Sequence, residues 1–149
     1  MTIVATENIT TLLNGAITVV KTVLPMECEV GTAQNTLESV NLSQPGVMIG
    51  LEKEINGSVF FLGPRELFSE CGNKMFGMPF EGEMLDSFIG ELGNILAGNI
   101  ATQLSTEDIT IDITTPKVVD SASLGTVERI LTVPLQFDGQ EMTILFTIE

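Results

Sequence analysis

The chain has 149 residues, of which 44% are hydrophobic, and its 20 acidic and 6 basic side chains give a net charge of −14. This length and apolar content fit a single folded domain, 1–149, and exclude a disordered chain. The acidic excess argues against nucleic acid or an anionic membrane as a partner, because either would repel the surface.

The chain contains no histidine and only two cysteines, Cys28 and Cys71. The lack of histidine removes the commonest general base and the Ser-His or Cys-His pairs of most covalent hydrolases. The N-terminal segment lacks the basic region of a signal peptide, and no apolar run is long enough to span a membrane. We therefore expect a cytoplasmic protein with two reduced thiols and no membrane association.

The first half of the chain shows one helix and then β-rich runs. An amphipathic pattern predicts a helix over Glu7–Leu24, and a strand is expected near Cys28–Thr32. Two β-rich runs flank Asn56-Gly57, a dipeptide suited to a two-residue type I′ hairpin turn. A proline then opens a short helix over Arg65–Phe76.

The second half begins with a long helix, predicted over Glu83–Leu104, and continues as strands. Alternation from Ile109 to Ile113 predicts one strand, and two more flank Asp138-Gly139. Pro134 lies within the first of these, which indicates an edge position or a bulge. Strands and helices cluster instead of alternating, so the sequence predicts an α+β fold: a mainly antiparallel sheet with two long helices packed on one face.

The long helix after residue 82 is predicted to have two faces. At about 100° per residue, Ser87, Glu91 and Asn94 project from one narrow stripe. By residue type alone, such a stripe is most typical of a solvated helix face. Asn99 is predicted to be a buried amide bonded to the backbone. The opposite face is apolar and is expected to pack on the sheet (Leu85, Phe88, Ile89, Leu92, Ile95, Leu96 and Ile100).

Three glycines lie within this helix, although each costs about 1 kcal/mol relative to alanine. Gly90 and Gly98 lie close to the polar stripe, as does Ala97, and we interpret these small residues as clearance for a partner. Gly93 lies toward the apolar side, where two interpretations stay open. It could provide clearance for a partner, or it could let another backbone of the fold come close.

The spacing Ser87-x-x-x-Glu91-x-x-Asn94, followed by Pro116, resembles the signature of the CheC/CheX/FliY phosphatases of bacterial chemotaxis. The segment "GELGNILAGN" is very similar to their catalytic helix, and the resemblance covers nearly the whole chain. Long two-lobed members carry the motif twice. This chain carries it once and is most similar to the CheX members. The resemblance implies a CheX-like or CheC-like fold and a homodimer whose strands join across the subunit boundary, but it assigns no role to Pro116.

The resemblance also implies a substrate, the aspartyl phosphate of a CheY-type response regulator. Asn94 would orient the attacking water, since a carboxamide both donates and accepts hydrogen bonds. Glu91 would pair with a lysine of the regulator, although a general-base role stays open, and Ser87 would contact the partner or support Glu91. No cofactor or metal is implied for this chain, and Mg²⁺ would be bound by the regulator. Small residues would let the helix enter the regulator's pocket (Gly90, Ala97 and Gly98).

Two other functions stay open. The chain could be a non-catalytic module of this fold that docks on a signalling or flagellar switch protein. It could also be a structural or oligomeric domain whose polar stripe is merely solvated. The intact set of Ser87, Glu91 and Asn94 argues against the docking module, because docking alone would not require it.

Overall fold

In the part of the chain that the structure describes, three helices combine with a seven-stranded sheet. A computed structural model describes residues 6–35, 40–125, 127 and 129–149. In chain order the elements are α1 (Thr6–Val23), β1 (Glu29–Val30), β2 (Gly46–Lys53), β3 (Gly57–Leu62), α2 (Arg65–Phe76), α3 (Gly82–Ser105), β4 (Ile111–Ile113), β5 (Lys117–Val119), β6 (Arg129–Phe137) and β7 (Gln140–Ile148).

All strand pairs in the sheet are antiparallel, in the order β1-β6-β7-β3-β2-β4, and β5 also pairs with β2. Alternation along β3 separates two clusters: Val59 and Phe61 join the large core with the helices, whereas Phe60 and Leu62 join a smaller cluster. The predicted α+β class and the packing of helices on a mainly antiparallel sheet are therefore confirmed. The third helix is the short α2.

The two long helices pack against each other as well as contributing to the large core. A Cβ atom built on Gly15 of α1 would lie 3.8 Å from Leu104 of α3, so α1 lies along the side of α3 that carries Leu104. Ala97 precedes Leu104 by seven residues and lies on the same side of the helix. This placement sets which part of α3 is left at the surface.

The two predicted hairpins form with different turns. Asp138 and Gly139 make a two-residue loop with φ of 24° and 87°, the positive values that a type I′ turn requires. The prediction of a two-residue turn at Asn56-Gly57 is wrong, because the last strand pair is Leu51 with Gly57 and three residues (54–56) connect β2 to β3. The physical reason is Ile55, which is fully buried within this loop.

Pro134 lies in a bulge and not on an edge strand. Val30 pairs with Leu135 and Gln34 with Thr132, so three residues (31–33) face two (133–134). The Gly31 N–H donates to the Pro134 carbonyl at 2.8 Å. The extra residue interrupts the strand pairing at the point where Pro134 has no N–H to donate. Of the two predicted positions for Pro134, an edge strand or a bulge, the bulge is therefore confirmed.

Both cysteines are free thiols in the structure, as the sequence predicts. Burial raises the pKa of the Cys71 thiol from its ordinary value of 9.0 to about 12, and the neighbouring Glu70 carboxylate adds to the rise. Within the described ranges, no helix is both long and apolar enough to cross a bilayer. That residues 1–149 form one domain stays a prediction.

Candidate functional site

The stripe of Ser87, Glu91 and Asn94 lies on the outside of α3. All three residues are exposed, and their spacing of four and three places them along one line of the helix. The side-chain hydrogen bonds and ion pairs formed among the described residues use none of the three. A hydroxyl, a carboxylate and a carboxamide are therefore presented side by side to the surroundings.

The opposite side of α3 is buried and holds the helix on the sheet. Six of the seven predicted apolar residues are buried, whereas Ile95 is 37% exposed. Asn99 is also exposed, contrary to the prediction, although its amide does donate to the Ile95 carbonyl at 2.7 Å. At these two positions the angle on the helix therefore does not match the observed burial.

Ala97 does not lie on the accessible surface. It is 1% exposed and belongs to the core. The prediction that Ala97 contacts a partner is therefore wrong as a statement about the surface. The physical reason is α1, which packs along this side of α3 and narrows the exposed stripe.

The three glycines of α3 have different surroundings. A Cβ atom on Gly93 would lie 2.5 Å from the Val47 side chain, so glycine is needed there for the close approach of α3 to β2. A Cβ atom on Gly90 would make an ordinary 3.5 Å contact with Val118, and on Gly98 it would meet nothing within 4 Å. The open question about Gly93 is thus answered in favour of close packing, and no contact among the described residues requires glycine at 90 or 98.

Arg65 fastens the beginning of α3 to α2. Its guanidinium donates to Asp86 Oδ1 at 2.8 Å and to the Gly82 carbonyl at 3.2 Å. Asp86 directly precedes Ser87, so this surface ion pair joins α2 to the helix turn where the stripe begins. The contact of Arg65 could not be predicted from the sequence, because no helical or strand spacing pairs a residue with another 21 positions later.

Pro116 lies in a second bulge, at the edge strand beside α3. Ile113 pairs with Leu51 and Lys117 with Met48, so three residues (114–116) face two (49–50). Thr114 bridges the interruption, since its hydroxyl accepts from the Gly50 N–H at 2.8 Å. Pro116 therefore lies between β4 and β5, where the pairing of β4 with β2 has ended and that of β5 with β2 begins. Val118 of β5 lies beside Gly90 of α3.

The comparisons with known proteins agree with this geometry. Residues 84–119, which hold both the stripe and Pro116, match the model of the CheC-like family. A CheC-like superfamily protein from Shewanella sp. PV-4 superposes with a TM-score of 0.81 at 23% identity, covering 97% of this chain and 99% of that one. The resemblance to the CheC/CheX/FliY family is confirmed. No curated protein is similar enough in sequence to count as a match.

Two further structures share the CheC-like fold. The chemotaxis protein CheX from Desulfovibrio desulfuricans gives a TM-score of 0.80 at 19% identity, covering 96% of this chain and 99% of that one. CheX in a CheX–CheY–BeF₃–Mg²⁺ complex from Borrelia burgdorferi gives 0.77 at 24% identity, covering 95% and 97%. At these identities the structural likeness concerns the fold.

A groove of about 1110 Å³ lies elsewhere on this CheC-like fold, and α3 contributes nothing to it. Its walls carry both signs of charge: Lys21 and Lys74 with Glu27, Glu29 and Asp138 among others. Within the described ranges, no three His, Cys, Asp or Glu side chains are grouped to hold a metal ion. The chemically distinctive residues therefore lie on the convex surface of a helix and not in the groove.

Proposed function

We propose that this chain hydrolyses the aspartyl phosphate of a CheY-type response regulator. The observation that carries the proposal is the exposed stripe of Ser87, Glu91 and Asn94, which has no partner among the described residues and stands beside a glycine facing open space. The Borrelia burgdorferi structure, in which CheX of the same fold is in complex with CheY, BeF₃ and Mg²⁺, supports a regulator as the partner.

The chemistry needs little from the phosphatase, because an acyl phosphate is already reactive. A water attacks phosphorus in line, the bond from phosphorus to the aspartyl oxygen breaks, and carboxylate and inorganic phosphate are released. The enzyme has to position that water and allow the negative charge to spread. Asn94 is proposed to do the positioning, since its carbonyl oxygen accepts from the water while its NH₂ group donates to an oxygen of the site.

Glu91 is proposed to align the helix by pairing with a lysine of the regulator. It lies one turn from Asn94 and is exposed, so a charged partner can approach it. Ser87 is proposed to contact the regulator one turn earlier. Gly90 and Gly98 leave room for the walls of the regulator's pocket. The proposed Mg²⁺ is held by the regulator, where it would neutralise phosphoryl charge, and no cofactor is assigned to this chain.

We further propose that the chain acts in the cytoplasm as a homodimer. Its two free thiols suit a reducing compartment. The sheet edge at β5 carries Val118, which is 42% exposed, and an edge strand of this kind can pair with a second copy. Light scattering on wild type and Val118→Lys tests the dimer: we expect twice the chain mass for wild type and a shift toward the monomer for the variant. A monomeric wild type would contradict it.

Phosphate release from a panel of phosphorylated regulators tests the catalytic proposal. We expect wild type to accelerate release from at least one regulator. Asn94→Ala should lower that acceleration by about a hundredfold or more, in the range for losing one positioned group. Glu91→Ala should lower it chiefly through weaker binding.

Asn73→Ala is the matched control, because Asn73 is also exposed and also follows a glutamate by three residues, but on α2. Its activity should equal that of wild type. If folded Asn94→Ala and Glu91→Ala turn over as fast as wild type, the catalytic assignment is wrong. Tight binding of the regulator without any change in its phosphate lifetime would instead favour the docking module.

A further inference from the structure

Three large apolar side chains are exposed within nine residues of the chain, where α2 ends and α3 begins. Phe76 at the end of α2 is 61% exposed, Met78 in the following loop 50%, and Met84 in the first turn of α3 56%. We call these three residues the apolar patch. Large exposed apolar groups that lie next to one another are typical of interaction surfaces. Methionine in particular adapts its shape to a partner.

The apolar patch has a rigid base. Phe80 and Phe88 stack with ring centroids 5.2 Å apart, and Phe76 meets both edge-on at 6.0 and 6.1 Å. The Phe80 ring fills the space that a Cβ atom on Gly72 would occupy. Phe76 is therefore held in place while most of its surface stays uncovered, and a partner would lose little conformational entropy in binding it.

The apolar patch continues the polar stripe along the same helix. Met84 precedes Ser87 by three residues and Glu91 by seven, so it lies at the N-terminal end of the same exposed line. Ile95, four residues after Glu91, is the other exposed apolar side chain of α3. A protein that covers Ser87 and Glu91 would therefore reach Met84 without any change in the fold.

The border of the apolar patch is acidic. Glu81 and Glu83 are exposed on either side of the first residue of α3, and Asp86 lies one turn further. Arg65 is engaged by Asp86, at 2.8 Å. If a second copy of this chain bound here through the same patch, the two acidic borders would repel each other. A partner surface bordered by lysine or arginine would instead be attracted. The charge pattern thus favours a different protein over self-association.

We infer that the apolar patch is a docking surface for the response regulator, which meets it with apolar side chains bordered by lysine or arginine. This inference rests on the proposed function and adds to it a second contact region, outside the regulator's phosphorylation pocket. It also gives the acidic surface a role at close range: the glutamates select a basic border, and the apolar contact supplies affinity.

The test compares a double variant, Met78→Gln with Met84→Gln, with the control Val30→Thr. Val30 is an exposed apolar residue at the far edge of the sheet, on β1. The probe is a CheY-type regulator that contains tryptophan and is loaded with beryllofluoride and Mg²⁺. Because this chain has no tryptophan, the regulator's fluorescence reports binding alone.

We expect the double variant to raise Kd about tenfold and to raise KM for the phosphorylated regulator equally, with kcat changed less than twofold. Val30→Thr should leave all three unchanged. Glu81→Gln with Glu83→Gln should raise Kd two- to threefold and flatten its dependence on salt.

The outcomes separate this inference from the proposed function. If wild type hydrolyses the phosphorylated regulator and the double variant keeps its Kd and KM, the docking surface is wrong and the function stands. If no hydrolysis occurs but the double variant still weakens binding, the function is wrong and the docking surface stands. A double variant that dissociates a dimer without weakening regulator binding would assign the patch to a subunit interface and overturn the inference, as would a wild type that binds no regulator.

Discussion

Two glycines five residues apart on α3 mark the difference between its buried and exposed faces. Gly93 faces β2, where a Cβ atom would lie 2.5 Å from Val47, so the fold itself requires glycine there. Gly98 faces open space, where a Cβ atom would meet nothing within 4 Å, so the fold does not. The same residue type therefore has an internal cause on one face, while on the other its cause has to be sought in a partner.

The largest expected effect on the buried face is that of Gly93→Ala. The new methyl group would press on a β-branched side chain that has little freedom to move, and overpacking of this kind costs about 1–3 kcal/mol. The helical gain of alanine over glycine, about 1 kcal/mol, offsets part of this cost. We expect urea denaturation to show a net loss of up to about 2 kcal/mol.

A double-mutant cycle with Val47→Ala checks the cause of that loss. If the two side chains clash, Gly93→Ala should cost less in the Val47→Ala background, by about 1 kcal/mol or more. Equal costs in both backgrounds would show that Gly93 is needed for some reason other than close packing on β2.

The buried thiol of Cys71 leads us to expect a loss of folding stability at alkaline pH. The pKa of Cys71 is raised to about 12 in the fold from 9.0, so between these values the unfolded chain has lost the thiol proton and the folded chain still holds it. Stability then falls as pH rises, by up to about 1.4 kcal/mol per pH unit from this group alone.

Denaturation at pH 8.5 and 10 measures the effect, with Cys71→Ala as the control. The variant should lose distinctly less stability than wild type over this interval. Identical losses would mean that Cys71 does not carry the alkaline response. Burial raises the pKa of the Cys28 thiol, with Lys21 opposing the rise, and this cysteine is present in both proteins, so its effect cancels in the comparison.

The smallest expected change in stability belongs to the exposed face. Gly98→Ala should stabilise the fold by about 0.5–1 kcal/mol, because alanine favours the helix and meets no neighbour. If the glycine provides clearance for a partner, the same substitution should weaken regulator binding severalfold. Denaturation and fluorescence titration measure the two effects. A variant that is more stable and binds as well as wild type would show that the space at Gly98 is not used.

Much of the fold was predictable because its signals are local. The helix over Arg65–Phe76 was placed at its observed ends, and the Asp-Gly dipeptide predicted the turn at residues 138–139, where both residues adopt the positive φ that such a turn requires. The longer turn before Gly57 was not predictable from the dipeptide, since the burial of Ile55 that draws the loop inward depends on the rest of the core. The short strand β5 was missed because its residues pair with β2, some 70 positions earlier.

The candidate site shows the same division. Helical periodicity alone placed Ser87, Glu91 and Asn94 together on the outside, as observed. Periodicity predicted the position of Ala97 around the helix but not its burial, because the packing of α1 on that side of α3 cannot be inferred from the α3 sequence. Arg65 and the apolar patch were also missed, since both depend on how α2 meets α3.

The most direct test of the central claim is the decay of a phosphorylated regulator saturated with wild type or with Asn94→Asp. Aspartate keeps the size and exposure of Asn94 but removes the NH₂ donor and places a negative charge near the phosphoryl group. We predict that wild type shortens the phosphate lifetime strongly, whereas the variant leaves it close to that of the regulator alone, with the same thermal stability. Equal lifetimes with wild type and with Asn94→Asp would contradict the proposed role of Asn94.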